Sequence, residues 1–202
     1  MWNKLASEES IKKVIAGLEA AGITVTLVDT KEEALEAVKK LIPDGSEVMP
    51  ASSTTVKDIG FMDYLQGGEH KYVNLAVQAM SEPDEAKRNL MRRKIESADY
   101  AIGSVNAITE DGKLVAVDGS GSRVGAYAFA AGHVVLVAGT NKIVTDVEQA
   151  FKRVKEYVFD LENERMQGAY GFGTTFGKWL IIEREIVKGR INLILVKEVL
   201  GF

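Results

Sequence analysis

A glycine-rich run is the strongest local indication of a binding site in this sequence. It consists of Gly119, Ser120, Gly121, Ser122 and Arg123, and it follows Asp118 directly. Glycine lets backbone N–H groups approach an anion at a helix start, and Arg123 could add a bidentate contact. The spacing is not that of a dinucleotide-binding loop, because Val124 stands where the third glycine would be. We therefore predict an anion site here, with a simple tight turn as the alternative interpretation.

Two further polar runs each follow a predicted strand. The first is a row of hydroxyl side chains, Ser52, Ser53, Thr54 and Thr55, and the second contains Asn141 and Lys142. Ligands of open α/β sheets bind at the carboxyl ends of the strands, so both runs are candidate anion sites. Helix capping by the hydroxyls and a solvated loop lysine are the alternatives. Asn106, at the start of a predicted hairpin segment, completes the set of candidate ligand-binding residues.

Glu110 is the candidate catalytic residue. It lies in the turn of that hairpin and could act as a general acid or base if burial raised its pKa, although a solvated turn carboxylate is the alternative. His70 and His133 lack the spacing of metal ligands, so no metal site is predicted. Cysteine is absent, which excludes disulfides and a cysteine-bound iron–sulfur cluster in this chain, and no other cofactor is evident.

Strands and helices alternate along the sequence in a way that predicts an α/β fold. Apolar periodicity, capping signals and turn residues indicate helices over 8–21 and 146–157 and after Thr30, strands over 23–28, 47–49, 100–104, 133–138, 179–182 and 191–196, and a hairpin over 106–117. This order predicts a mixed, largely parallel sheet flanked by helices, with an inserted β-hairpin. Four glycines between residues 162 and 177 predict a flexible loop there.

Composition favours one globular domain spanning residues 1–202. Hydrophobic residues make up 46% of the chain and charged residues 27%, and the net charge is -4, which gives no general attraction to nucleic acid. A basic cluster between residues 87 and 94 is flanked by acidic residues and predicts a solvated helix face. The first residues are not those of a secretion signal, and the longest apolar stretch is too short to cross a membrane. We therefore expect a cytoplasmic protein.

Several motifs together resemble the LUD domain family, which is named for lactate-utilisation proteins. They are Ser104-Val105-Asn106-Ala107-Ile108-Thr109-Glu110-Asp111-Gly112-Lys113, Val117-Asp118-Gly119-Ser120-Gly121-Ser122-Arg123 and Gly139-Thr140-Asn141-Lys142-Ile143-Val144. The resemblance implies a fold related to ribose-5-phosphate isomerase, CoA transferases and methenyltetrahydrofolate synthetase. It also implies an accessory role in the oxidation of L-lactate to pyruvate. Many relatives carry a cysteine-rich segment before the last strand, whereas this chain has glycines there.

Three functional hypotheses follow from these observations. The first is a protein that binds a small anionic metabolite through the loops at 52–55, 118–123 and 141–142, as an accessory subunit of lactate oxidation. The second is an isomerase or acyl-CoA transferase-type enzyme that uses Glu110. The third is a structural partner of iron–sulfur oxidoreductase subunits. Formation of a homo-oligomer stays open, and neither nucleic acid nor a membrane is an expected partner.

Overall fold

The computed structural model of the protein describes residues 2–202. Its strands are β1 (Thr24–Val28), β2 (Glu47–Pro50), β3 (Val73–Asn74), β4 (Tyr100–Gly103), β5 (Ala107–Thr109), β6 (Leu114–Asp118), β7 (His133–Gly139), β8 (Ile143–Val144), β9 (Lys178–Ile182) and β10 (Ile191–Val196). Its α-helices are α1 (Glu8–Ala20), α2 (Lys31–Leu41), α3 (Thr54–Asp58), α4 (Phe61–Gly67), α5 (Leu75–Met80), α6 (Glu85–Ile95), α7 (Ser122–Gly125), α8 (Val147–Arg153) and α9 (Phe159–Tyr170). None of the helices in residues 2–202 has the length and apolar composition that a membrane crossing requires.

Six strands form a parallel sheet in the order β1-β10-β7-β4-β2-β3. β7 and β10 lie at its centre, and Leu136 of β7 pairs with Leu193 of β10. Both strands are rich in valine, leucine and isoleucine and are almost completely buried, as is typical of strands covered on both faces. Because all six strands run in one direction, the loops that follow β2, β4 and β7 meet at the same edge of the sheet.

Helices cover both faces of this sheet. α1 contributes Val14 and Leu18 to the hydrophobic core on one face, and α2 contributes Ala34 and Val38 to the core on the other. Ser7 caps α1 and Thr30 caps α2, each through a side-chain oxygen that accepts a backbone N–H of the first turn. The amphipathic patterns of both helices therefore place them as the sequence predicts.

The predicted hairpin is present as β5 and β6, which pair antiparallel. Its strands belong to a second sheet in the order β8-β5-β6-β9, in which β8 runs parallel to β5 and β9 antiparallel to β6. The predicted α/β class with flanking helices and a β-hairpin is confirmed. The antiparallel strands lie in this separate sheet, whereas every pair in the six-stranded sheet is parallel.

The predicted flexible loop over 162–177 is wrong for its first half. A π-helical segment, Val154–Val158, joins α8 to α9, so the helix continues to Tyr170 and includes Gly168. Gly171 then adopts a left-handed conformation with φ of 76° and ends the helix, as glycine commonly does. One glycine inside a helix costs only about 1 kcal/mol relative to alanine, which is too little to stop a helix that already has several turns. Residues 171–177 do lie outside helices and strands.

Candidate functional site

A cavity of about 780 Å³ opens at the carboxyl edge of the parallel sheet. The loops after β2, β4 and β7 line it, and so does the glycine-rich run between β6 and α7. The remaining lining comes from the ends of β2 and β6, from α5 and α6, from Val158 and several residues of α9, from the segment 172–176 and from Phe202. Side chains from distant parts of the sequence meet here because parallel strands end side by side.

Lys142 marks the buried inner end of the cavity. Only 2% of the residue is exposed, and it lies in a short 3₁₀ turn, Thr140–Lys142, that follows β7 directly. The Nζ atom donates to Thr55 Oγ1 at 2.8 Å, to Ser104 Oγ at 3.0 Å and to the carbonyl oxygen of Val105 at 3.1 Å. All three acceptors are neutral, and none of the ion pairs within residues 2–202 includes Lys142.

The surroundings of Lys142 disfavour its charged form. Burial holds the pKa of Lys142 well below its ordinary value of 10.5, and the guanidinium groups of Arg153 and Arg123 lower it further, while Asp58 acts in the opposite direction. Removing an ammonium group from water is unfavourable unless an opposite charge replaces the lost hydration. A ligand anion at the inner end of the cavity would supply that charge.

The glycine-rich run forms a compact turn organised by Asp118. Its carboxylate accepts the backbone N–H of Arg123 at 2.8 Å and that of Ser120 at 3.2 Å. Gly121 has φ of 94°, a left-handed conformation that favours glycine, and precedes the first residue of α7. The Arg123 guanidinium donates to the Val117 carbonyl oxygen at 2.5 Å, which holds the side chain beside the cavity it lines.

The four hydroxyl side chains after β2, at positions 52–55, do not all have the same role. Ser53 caps α3, since its Oγ accepts the N–H of Val56 at 3.4 Å. Thr55 is fully buried and accepts from Lys142, and it does not itself line the cavity. Ser52, Ser53 and Thr54 do line it. Helix capping therefore accounts for one of the four hydroxyls, and a second supports the buried lysine.

The two predicted asparagines both stabilise the loops around the cavity. Asn106 Oδ1 accepts the N–H of Val117 at 2.9 Å and so joins the loop after β4 to β6, and Asn106 also lines the cavity. Asn141 Oδ1 accepts the N–H of Leu200 at 3.2 Å, which fixes the segment after β10, and this residue does not line the cavity.

Arg153 is a further buried cation close to the inner end. Its guanidinium donates to the Asn106 carbonyl oxygen at 2.5 Å, and the Nε and Nη2 atoms have no hydrogen-bond partner within residues 2–202. Burial lowers the pKa of Arg153 to about 10, although the Tyr157 ring lies against it at 5.4 Å. Such an unneutralised buried charge adds positive potential behind Lys142.

Three carboxylates also line the cavity: Glu96 at the end of α6, Asp118, and Glu162 of α9, which forms an ion pair with Arg165. Burial raises the pKa of Glu96, the charge of Asp118 raises it further, and Arg92 opposes both effects. Glu96 Oε2 is buried and has no hydrogen-bond partner within residues 2–202. These surroundings make the charged form of Glu96 less favourable than that of a solvated carboxyl group.

Glu110 does not line the cavity. Its Oε1 accepts from Ser10 Oγ at 2.6 Å, and its Oε2 lies 3.6 Å from Lys13 Nζ, so α1 holds the carboxylate. The structure therefore does not bring Glu110 to the predicted ligand-binding residues. No observation favours it as an acid, base or nucleophile in this cavity.

The histidines have structural surroundings. His70 Nε2 forms a hydrogen bond with the Leu65 carbonyl oxygen at 2.8 Å, and the His133 ring stacks on Tyr100 at 4.8 Å. Within residues 2–202 no group of three histidine, aspartate or glutamate side chains could hold a metal ion.

Most predicted ligand-binding residues lie around one cavity. Nine of them line it, namely Ser52, Ser53, Thr54, Asn106, Asp118, Gly119, Ser120, Arg123 and Lys142, whereas Thr55, Gly121 and Asn141 do not. Their binding of a ligand stays a prediction.

The prediction from sequence omitted several residues of the site. Ser104 follows β4 directly, so the rule of the carboxyl strand ends could have identified it. Arg153 lies three residues after the buried Ala150 and stands on the apolar stripe of α8, where a charged residue is unusual. Arg92 lies in α6 and Glu96 caps it; the basic cluster of this helix predicts a solvated face, and its sequence gives no local signal of a cavity.

The fold and the cavity together define an α/β protein whose loops enclose a cavity at the carboxyl edge of a parallel sheet. The model of the LUD domain family matches residues 11–196. The chain therefore belongs to the LUD domain family, which confirms the family predicted from its motifs.

A solved structure shows the same fold. A DUF162 family protein from Deinococcus radiodurans superposes with a TM-score of 0.51 at 16% identity, covering 96% of this chain and 98% of that protein. eIF2B delta from Chaetomium thermophilum reaches a TM-score of 0.27 at 19% identity, covering 71% of this chain and 52% of that one. No curated protein matches the sequence.

Proposed function

We propose that this protein binds a small anionic metabolite at the inner end of the cavity, with a carboxylate or phosphate group of the ligand against Lys142. The observation that carries the proposal is the state of that lysine. It is 2% exposed, lines the cavity, and has only neutral oxygen atoms as hydrogen-bond partners. Buried charges in folded proteins are normally paired, so a missing anion is the simplest complement.

The charges around Lys142 favour the same ligand chemistry. Arg123 and Arg153 both lower the pKa of Lys142, which means that each repels its ammonium charge. A bound oxyanion would attract all three cations at once. Ser52, Ser53 and Thr54 offer hydroxyl donors beside the same space. A neutral or cationic ligand would leave the repulsion in place.

Membership of the LUD domain family supports a link to lactate utilisation. We propose an accessory role in the oxidation of L-lactate to pyruvate, in which both substrate and product carry the carboxylate that the site favours. Iron–sulfur oxidoreductase subunits are the partners we propose for such a role, since the chain has no cysteine to bind a cluster itself.

The test is a double substitution, Arg123→Gln with Lys142→Met. Sulfate, inorganic phosphate, L-lactate and pyruvate serve as probes, and calorimetry measures their affinities. We expect the double variant to lose binding of every oxyanion that the wild type binds, because it removes two of the three positive charges that would attract the ligand.

A matched control carries Lys57→Met with Arg93→Gln, which removes the same two charges from exposed positions outside the cavity lining. It should bind the probes like the wild type. Circular dichroism and thermal unfolding establish that all three proteins are folded. Undiminished affinity in the folded Arg123 and Lys142 variant would refute the proposal.

A further inference from the structure

The cavity is much larger than the head group that Lys142 can accommodate. Its volume of about 780 Å³ lies in the range that pockets for drug-sized ligands occupy, roughly 300–1,000 Å³. A three-carbon acid, whose volume is only a few times the roughly 30 Å³ of a water molecule, would leave most of this space filled with solvent. The side chains that line the rest of the cavity therefore indicate which chemical groups the ligand has besides its anionic head.

Part of that outer lining consists of exposed apolar and aromatic side chains. Met80 at the end of α5 is 83% exposed, Tyr170 at the end of α9 is 58% exposed, and Phe172 is 60% exposed. The rings of Tyr170 and Phe172 lie 5.9 Å apart and nearly parallel, and all three residues line the cavity. Contiguous exposed apolar side chains around a cavity mark a surface that another apolar group covers.

Cationic side chains border the same outer region. Arg88 and Arg92 of α6 line the cavity, and Arg88 is held by hydrogen bonds to the carbonyl oxygens of Glu82 and Pro83. A guanidinium plane stacks well on a flat ring, as does an aromatic side chain. The outer end thus offers two kinds of surface for a planar group, namely guanidinium groups and aromatic rings.

We infer that the ligand is an elongated, amphipathic oxyanion, with its anionic head at Lys142 and a planar or apolar body between Met80 and the pair formed by Tyr170 and Phe172. This inference rests on the proposed function, because the head group takes the place described there. The ligand class is a carboxylate or phosphate attached to a ring or comparable apolar body. A free small acid would use only the inner half of the site.

The experiment compares two matched pairs of probes by calorimetry: inorganic phosphate with 1-naphthyl phosphate, and acetate with 1-naphthylacetate. Within at least one pair the naphthyl probe should bind about tenfold more tightly, the factor that corresponds to about 1.4 kcal/mol. The pair that shows this gain identifies whether the head is a phosphate or a carboxylate.

Two single substitutions locate the apolar contact. Phe172→Ser should weaken the naphthyl probe about tenfold and leave the small anion unchanged. Phe129→Ser is the matched control, since Phe129 is 87% exposed and does not line the cavity, and it should change neither affinity. Equal affinities of small and naphthyl probes, or an unchanged naphthyl affinity in Phe172→Ser, would overturn the inference while leaving the proposed anion site intact.

Failure of the proposed function gives a different pattern. If naphthyl probes bind and depend on Phe172 but not on Lys142, tested with Lys142→Met, the cavity is an apolar site and both the anionic head and the amphipathic ligand are refuted. If no probe binds the wild-type protein, both proposals are refuted together. The affinities of phosphate and acetate therefore test the anion site at the inner end. The ratio of the naphthyl affinity to the small-anion affinity tests the apolar contact at the outer end.

Discussion

Anion binding should be accompanied by proton uptake at Lys142. Substitution of Lys142 by methionine should abolish this uptake. In the free protein, burial and the charges of Arg153 and Arg123 hold the pKa of Lys142 well below 10.5. A bound oxyanion stabilises the ammonium form and raises that pKa. At any pH between the free and the bound value, binding must therefore be accompanied by proton uptake at Lys142.

The size of the effect follows from linkage. Each unit by which the anion raises the pKa corresponds to about 1.4 kcal/mol of binding free energy. Within the affected pH window, the affinity should fall by up to about tenfold for each unit of rising pH, and by less outside it. Loss of the charged contact in Lys142→Met should weaken binding roughly tenfold to a hundredfold, the equivalent of about 1.5–3 kcal/mol.

Calorimetry in buffers that differ in ionisation enthalpy measures this proton directly. Sulfate is a suitable probe because it does not titrate near neutral pH. The wild type should take up as much as one proton per sulfate at a pH within the window, and Lys142→Met should take up none. Lys57→Met, an exposed substitution with the same charge change, should behave like the wild type. Identical proton uptake in the wild type and Lys142→Met would refute the role assigned to Lys142.

The lowered pKa of Lys142 should also affect the stability of the free protein. The free energy of unfolding should change with pH in the direction opposite to that of the binding affinity. The unfolded chain binds the Lys142 proton more tightly than the free folded protein does. The free energy of unfolding should therefore rise with pH between the lowered pKa of Lys142 and 10.5. Lys142→Met should lack this rise in urea unfolding measured over the same pH range.

Other substitutions test the surroundings of the site. Glu96→Gln should increase stability above the ordinary carboxyl pKa and strengthen sulfate binding, because burial and Asp118 raise the pKa of Glu96; unfolding and calorimetry measure both. Gly139→Ala should cost about 1–3 kcal/mol in urea unfolding, since a Cβ would lie 2.4 Å from a backbone oxygen, whereas Gly67→Ala has open space and should not destabilise. Glu185→Gln should cost about 3 kcal/mol, because it leaves a buried arginine unpaired; equal unfolding midpoints would contradict this.

The arrangement of the loops could be predicted from sequence because two simple rules agree. Apolar runs such as β7 and β10 identify buried parallel strands, and the polar residues that follow them must lie at the carboxyl edge. Ser53 and Lys142 are therefore expected near one another without any knowledge of side-chain contacts, whereas Arg123 follows β6 of the second sheet and is predicted only from its glycine-rich run. The structure places all three around one cavity.

The outer half of the cavity could not be predicted in the same way. It depends on the continuation of α8 through a π-helical segment into α9, which carries Tyr170 to the mouth of the cavity. Local sequence favours a loop there, because glycines are frequent, whereas the preceding helical turns and the Arg165 to Glu162 ion pair favour a helix. The helix continues to Tyr170, and Tyr170 and Phe172 come together beside the cavity only as a result.

Two buried cations of this chain show why Lys142 differs from a residue that serves the fold. Arg190 is buried as well, yet it forms an ion pair with Glu185 at 2.8 Å and donates to three carbonyl oxygens, those of Ala126, Tyr127 and Ala131. Burial acts to raise the pKa of Glu185, but hydrogen bonds from Val187 and Arg190 lower it, so the pair stays ionised. At Arg190, therefore, the fold itself supplies the counterion. Lys142 has no such carboxylate among its hydrogen-bond partners and faces a cavity instead, so the counterion it lacks is best supplied by a ligand.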